Sequence, residues 1–411
     1  MAEADPHTED RAAQRRRSAR ADLRRMVALI AEDRTESATA PLMLHKSVYT
    51  GRRRHAAEMA EIFHRQPLVA GLTGDIPAPG DAMVFDGAGP SVLVMRGKDG
   101  VVRAFRNMCT HRAARLVEES EPWSGRLPRV SCPFHAWTFD GEGRLVGQPG
   151  KEGFAGCPEG ARNLIALPCE EYLGLILVRV DPDAGVVDAV GHLASFAPVI
   201  EQMEPWRAEP VKKGVLTADA NWKFALDTYG ESYHFKALHA STIGQTHYSN
   251  RGMYEPFGPH HRVNFPDLSA GELICMPETE WPEAEYGAVH YLFPNTVLFF
   301  GAVTPGVHFT QVFRLFPDGP DRMFCHFAVY APFGVMDDAH RAICEGAFDA
   351  TATVVQTEDY RVASAGYANL LAAPEDFRVV LGANEPALHG VHRQIAAACG
   401  MPLDCTEQTN R

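Results

Sequence analysis

Cys109-Thr110-His111, then twenty residues, then Cys132-Pro133-Phe134-His135, is the stretch on which the reading of this chain turns. Each short loop offers one thiolate and one imidazole, so the two together can clamp a metal centre between them. Zinc is one candidate, because two Cys and two His make an acceptable tetrahedral set. Zinc sites more often group Cys with Cys and His with His, whereas each loop here alternates them. Alternation suits two irons in different surroundings, with two sulfurs on one and two imidazoles on the other. Neutral imidazole ligands would raise the potential of such a cluster above that of an all-cysteine one.

Working outward, residues 66–182 read as a small antiparallel β domain. Short apolar runs, such as Ser91-Val92-Leu93-Val94-Met95 and Leu175-Ile176-Leu177-Val178, are broken by glycine and proline. Asp181-Pro182-Asp183-Ala184-Gly185 reads as a linker. Residues 183–411 mix types: helical patterns over 221–242 and 337–372, and β runs at 289–293, 296–300, 307–316 and 323–330. The expected class is α+β, a larger domain with an antiparallel sheet flanked by helices beside the small β domain. Residues 1–65 read as an N-terminal helical arm, with Arg11, Arg15, Arg16, Arg17, Arg20, Arg24 and Arg25 expected on a solvated or mobile helix.

Composition narrows the function. The chain has 411 residues, 45% apolar and 22% charged, with a formal charge of −13 that argues against nucleic acid as a partner. No apolar run approaches the roughly 18 residues that span a membrane, and there is no signal-peptide core, so a cytoplasmic protein with no membrane partner is expected. Nine cysteines, an odd and scattered set, argue against a disulfide framework. Cys157, Cys169, Cys275, Cys325, Cys344, Cys399 and Cys405 lack metal-like spacing and are expected to be small buried hydrophobes. His247, His260, His261, His290 and His308 are expected to be hydrogen-bonded core or polar histidines.

A second cluster lies in Glu231-Ser232-Tyr233-His234-Phe235-Lys236-Ala237-Leu238-His239. On a helix Glu231 and His234 share a face. His234 and His239, five apart, would splay by roughly 140°. Meeting at one ion would require a π-type widening, a kink or a helix end between them. The bland alternative is an amphipathic helix with two ordinary histidines.

Together the motifs resemble the Rieske-type non-haem iron ring-hydroxylating oxygenases, large (α) subunit. Phe105-Arg106-Asn107-Met108-Cys109-Thr110-His111-Arg112 and Cys132-Pro133-Phe134-His135-Ala136-Trp137-Thr138-Phe139 look like that family's two cluster loops. Asn221-Trp222-Lys223, the 231–239 stretch and Leu292-Phe293-Pro294-Asn295-Thr296 resemble its catalytic domain. There are departures. The segment between the cluster loops is a few residues longer, the excess falling within 118–123, where a longer surface loop is expected. Ala136 stands where glycine is common, and Phe134 replaces a frequent tyrosine.

The resemblance implies a Rieske [2Fe-2S] cluster on Cys109, His111, Cys132 and His135. It also implies a mononuclear Fe(II) held by a 2-His-1-carboxylate triad of His234, His239 and Asp359. Glu358 is the neighbour most easily confused with Asp359, while Asp337 and Asp338 read as a helix start. Glu231 falls where the family keeps an acidic bridge, here joining His234 to His135 of the adjacent subunit. Asp227 stands where many relatives have asparagine, so no role transfers to it.

The implied function is the terminal oxygenase component of a multicomponent system. It would use O₂ and NAD(P)H-derived electrons to hydroxylate, by mono- or cis-dihydroxylation, a small aromatic or hydrophobic molecule. Phe299, Phe300, Phe309 and Phe313 suggest an apolar pocket or simply core. The alternative is oxidative demethylation or C–N cleavage of a methylated or quaternary amine, because some family members acting on such compounds carry glutamate at the position of Glu231. No G-x-G-x-x-G fingerprint or plant-type ferredoxin run is present, so a separate reductase, with or without a ferredoxin, is the expected donor. A homotrimer, with or without a small β subunit, is the expected assembly. The competing classes are a Rieske electron carrier, which would have no use for the second cluster, and a colourless zinc-stapled binding protein.

Overall fold

Short β runs closed by tight turns build the first half of the chain, and long β runs followed by helices build the second. The computed structural model describes residues 8–403 apart from 88, 159, 286, 305–306 and 333–336. The first half holds a five-stranded antiparallel sheet in the order Ala166–Leu167, Val102–Arg106, Val92–Arg96, Asp81–Phe85, Ser124–Arg126. Beside it lie two three-stranded sheets, Cys169–Tyr172/Leu175–Val178/Leu68–Leu72 and Arg129–Ser131/Thr138–Asp140/Leu145–Gly147. Strand alternation divides the side chains between two cores. Ala82, Val84, Leu93 and Met95 pack with Cys109, Cys132, Trp137 and Phe139. Met83, Phe85, Val92 and Val94 face the other way, into a core shared with the second half.

The second half is organised on a seven-stranded antiparallel sheet. Its order is Glu209–Ala218, Met323–Ala331, Val307–Pro317, Thr296–Thr304, Ala288–Leu292, His260–Asn264, Met253–Phe257. One face carries Phe309, Phe313, Phe327 and Val329 against Phe348, Val355 and Tyr360 of the C-terminal helices. The opposite face carries Leu298, Phe300, Val312 and Tyr330 against Leu193, Phe196 and Ile200. Helices flank the sheet, as the pattern of runs implied.

The arginine-rich segment differs from the expectation of a solvated helix. Helix Thr8–Ala31 lies on the second half: Arg11 and Arg15 reach the buried Glu204, Asp22 pairs with Arg262, and Val27 packs on Ala270 and Leu273. Strand Leu42–His45 then pairs with Arg378–Leu381, joining the two ends of the chain. No helix of the described residues is long and apolar enough to cross a membrane.

One buried charge pair ties this N-terminal region to the helix that leads into the second cluster. Lys223 Nζ lies 2.7 Å from Glu58 Oε2, and Trp222 Nε1–H donates to the same oxygen at 2.9 Å. The side chains of Glu58 and Lys223 are 0% and 1% exposed. A buried ion pair is worth little net, but removing one partner strands the other charge. Glu58→Ala is therefore expected to destabilise the fold by about 3–5 kcal/mol, while Glu58→Met with Lys223→Met, which strands only the Trp222 indole N–H, loses markedly less. Denaturant unfolding of the three proteins checks this, and equal losses in the single and double variants would show that charge stranding is not the cause.

Candidate metal centres

The 221–242 region is not one helix. Helix Trp222–Leu226 gives way to a 3₁₀ turn at Asp227–Tyr229, then to a separate short helix Phe235–Leu238. Glu231 therefore sits in a loop. His234 caps the front of the short helix and His239 caps its end, which removes the splay that an unbroken helix would impose. The two Nε2 atoms face each other at 3.1 Å.

Asp359 is brought to the same point from the C-terminal helices. The chain there widens into a π-turn, Val355–Asp359, between helices Asp338–Val354 and Tyr360–Ala372. Asp359 Oδ1 lies 3.3 Å from His239 Nε2 and 3.6 Å from His234 Nε2. That oxygen is buried and has no hydrogen-bond partner. Two ring nitrogens facing each other beside an orphaned carboxylate oxygen fit a cation, since burying such an oxygen unpaired is costly. Among the described residues, His234, His239 and Asp359 are the group of three whose ligand atoms lie within 4.8 Å of one another.

Each imidazole is held from behind by its own carboxylate. His234 Nδ1–H donates to Glu231, which also accepts from the His234 backbone N–H at 3.2 Å. His239 Nδ1–H donates to Glu358 Oε2 at 2.6 Å, and Thr242 Oγ1 donates to the same oxygen at 3.0 Å. These contacts fix both tautomers with Nε2 turned toward Asp359. Burial pulls the His239 pKa down, but Asp359 and Glu358 outweigh it and the net shift is upward. Glu358, weighed in the sequence only as a rival to Asp359, thus occupies a distinct place.

The upstream loops form a near-symmetric pair. Ala113 N–H donates to Cys109 O and Ala136 N–H to Cys132 O, at 2.9 and 3.0 Å. Cys109 N–H and Cys132 N–H donate to Ala114 O and Trp137 O, both at 2.8 Å. Ala113 and Ala136 both have positive φ, +60° and +57°, so the alanine noted at 136 has a counterpart in the other loop. The two cysteines are buried side by side: burial raises the Cys109 thiol pKa, and the Cys132 thiol adds to the rise. The imidazoles of His111 and His135 pair separately, with ring centroids 4.7 Å apart. His111 stacks on Trp137, and its buried Nδ1 has no partner. Burial, with His135 and Arg112 nearby, lowers its pKa and keeps it neutral, as a ligand must be. A sulfur pair and an imidazole pair in separate places fit two irons better than one tetrahedral zinc.

Other expectations meet mixed outcomes. Segment 118–123 is not simply a surface loop, because Glu121 is buried against Arg314 and His326. Asp227 is held by Tyr49 Oη at 2.7 Å and His392 Nε2 at 3.0 Å, from opposite ends of the chain. His260 donates to His192 O at 2.7 Å, His290 contacts Leu298 O, and His261 stacks on Tyr291. Phe309 and Phe313 line the helix-facing side of the sheet, where Phe313 packs on Tyr229, while Phe300 faces away. Cys325 and Cys344 are buried and Cys169 and Cys399 half-buried, but Cys157, in a bend, and Cys275, at the end of the 3₁₀ helix Leu268–Cys275, are exposed. Cys405 lies outside the described residues.

Two family models match the chain: a Rieske [2Fe-2S] domain over residues 66–160, and the catalytic domain of the ring hydroxylating alpha subunit over residues 202–401. A glycine betaine monooxygenase oxygenase subunit from Pseudomonas aeruginosa is 33% identical over 211 residues, 49% of this chain and 45% of that protein. A biphenyl 2,3-dioxygenase subunit alpha from Rhodococcus jostii is 32% identical over 198 residues, 46% of this chain and 42% of that protein. The chain thus spans about half the length of each of these relatives. A crystal structure of the quaternary ammonium Rieske monooxygenase CntA superposes with a TM-score of 0.73 at 20% identity, covering 87% of this chain and 95% of that one.

Proposed function

The chain belongs to the Rieske-type ring-hydroxylating oxygenases as a large (α) subunit, and we propose on that premise that it is the terminal oxygenase component of an electron-transfer system. The observation that carries this is the second site: two imidazoles and one carboxylate meet at a point, with each imidazole backed by a further carboxylate. A pure electron carrier has no need of it. When bound, a cluster on Cys109, His111, Cys132 and His135 would supply single electrons, and a ferrous ion on His234, His239 and Asp359 would supply a place to activate O₂.

The protein's own part is to orient and hold. Glu231 and Glu358 keep the two Nδ1 protons, so both Nε2 lone pairs point inward. The hydroxyls of Tyr229 and Tyr360, 2.8 Å apart and raised in pKa by burial, stay protonated beside the site. The Glu231 side chain is 11% exposed; acting as the family's bridge to His135 of a neighbouring subunit, it would make a homotrimer the proposed assembly, with or without a small β subunit. A reductase, directly or through a ferredoxin, would deliver electrons from NAD(P)H. Every described cysteine is a free thiol, which supports a reducing, cytoplasmic location.

Two substrate readings each rest on an observation. The glycine betaine relative, the quaternary ammonium neighbour and glutamate at 231 favour oxidative demethylation of a methylated amine. The biphenyl relative favours hydroxylation of a small aromatic. A surrogate reductase with NADH, assayed for O₂ uptake, separates them: formaldehyde release follows from the amine, and a hydroxylated ring from the arene. Glu231→Gln is expected to keep both metals and lower NAD(P)H-driven turnover by roughly 10–100-fold. Loss of iron in that variant would show that Glu231 acts by holding His234 in place for the metal and not in electron transfer.

A further inference from the structure

The residues that lengthen the segment between the two cluster loops do not hang free. Arg115, bridged to Met108 across the first loop, donates to Asp86 at 2.9 Å and to Glu119 O at 3.1 Å. Asp86 and Glu121 then exchange backbone hydrogen bonds: Asp86 N–H donates to Glu121 Oε2 at 3.0 Å, and Glu121 N–H donates to Asp86 Oδ2 at 3.2 Å. From there the Glu121 carboxylate crosses into the other half of the chain. It pairs with Arg314, and its Oε2 lies 3.2 Å from His326 Nε2.

Arg314 and His326 are direct partners across strands Val307–Pro317 and Met323–Ala331. All three side chains are at most 7% exposed. Arg314 interlocks in the opposite sense, donating to Ala70 O at 2.6 Å in strand Leu68–Leu72 of the β half. A carboxylate this deep is costly unless paired, so its partners hold it in one place. A second tie lies elsewhere on the same boundary, where Asp75 meets Lys213 at 2.6 Å and Tyr330 Oη at 3.0 Å. Breaking the first tie would leave the second as a pivot.

We infer that Glu121 is a positioning residue: it registers the first cluster loop on the sheet of the catalytic half and so sets how far the cluster stands from the nearest ferrous site. The inference rests on the proposed two-iron reading. In the ferrous holoenzyme, nitric oxide labels the mononuclear site and pulsed EPR reads its distance to the reduced cluster. Glu121→Gln is expected to shift or broaden that distance while the cluster's own g-values and reduction potential stay at wild type. Arg314→Lys, which keeps the charge but loses the contact with Ala70, is expected to do the same to a smaller extent and serves if the first variant does not fold. Wild-type distances in both variants would overturn the role of Glu121. A wild-type protein showing no cluster signal or no nitrosyl signal would overturn the two-iron reading and the inference with it.

Discussion

Asp359→Ala is expected to empty the mononuclear site and leave the red-brown cluster intact. The physical reason is charge: with Asp359 gone, two neutral imidazoles would face a divalent cation with no carboxylate in direct contact. Iron analysis should fall by one of three irons per chain, and acid-labile sulfide should not change. Glu358→Ala separates the two carboxylates. Its oxygen touches the far nitrogen of His239 rather than the point where the Nε2 atoms converge. Removing it frees the ring to turn and is expected to weaken iron binding by roughly 10–100-fold. A competition titration with a ferrous chelator would resolve that difference. Full iron retention in Asp359→Ala, with loss in Glu358→Ala, would reverse the assignment.

That one-residue distinction shows where reading the sequence stops. Neighbours on a regular helix point about 100° apart, so either Glu358 or Asp359 could have been the inward one. The π-turn at Val355–Asp359 rotates the pair so that both reach the histidines, from different sides. Nothing in the residue pattern announces that widening. The histidine spacing, by contrast, carried its own warning: five residues could not converge on an unbroken helix, and the chain breaks on either side of Phe235–Leu238.

The pairing of the two loops was legible because their Cys and His residues are close in the chain and the loops are short, so spacing nearly dictates geometry. Long-range partners were not. Arg11 and Arg15 read as a basic arm because Glu204, their counter-charge, lies some 190 positions away. Asp227 gave no clue to Tyr49 and His392, which come from the two ends of the chain. The length of segment 118–123 showed an excess, but whether Glu121 turned inward depended on Arg314 and His326, on strands that meet it only in the folded chain.

Acid should destabilise this fold well before carboxylates protonate. His260, His261 and His290 are buried, and burial pulls their pKa values down from 6.5 to about 4, about 3 and about 3. A folded-state pKa below the unfolded one means the unfolded chain takes up protons first. Stability from these groups is therefore full above pH 6.5 and is lost progressively as pH falls toward 4. At pH 5 each would cost about 2 kcal/mol, and the three together about 6 kcal/mol, comparable to the whole stability of many domains. Buried Asp22 and half-buried Glu385, whose pKa values are raised mainly by burial, act in the opposite sense, since protonation favours their folded forms. Denaturant unfolding at pH 7.5 and pH 5.0 tests this. The histidines of the candidate metal centres also titrate, so a variant isolates the buried set. His261→Phe keeps a ring against Tyr291 and removes one titrating group. It is expected to recover about 2 kcal/mol of the loss at pH 5, whereas an unchanged slope in that variant would show that His261 does not contribute to the acid sensitivity.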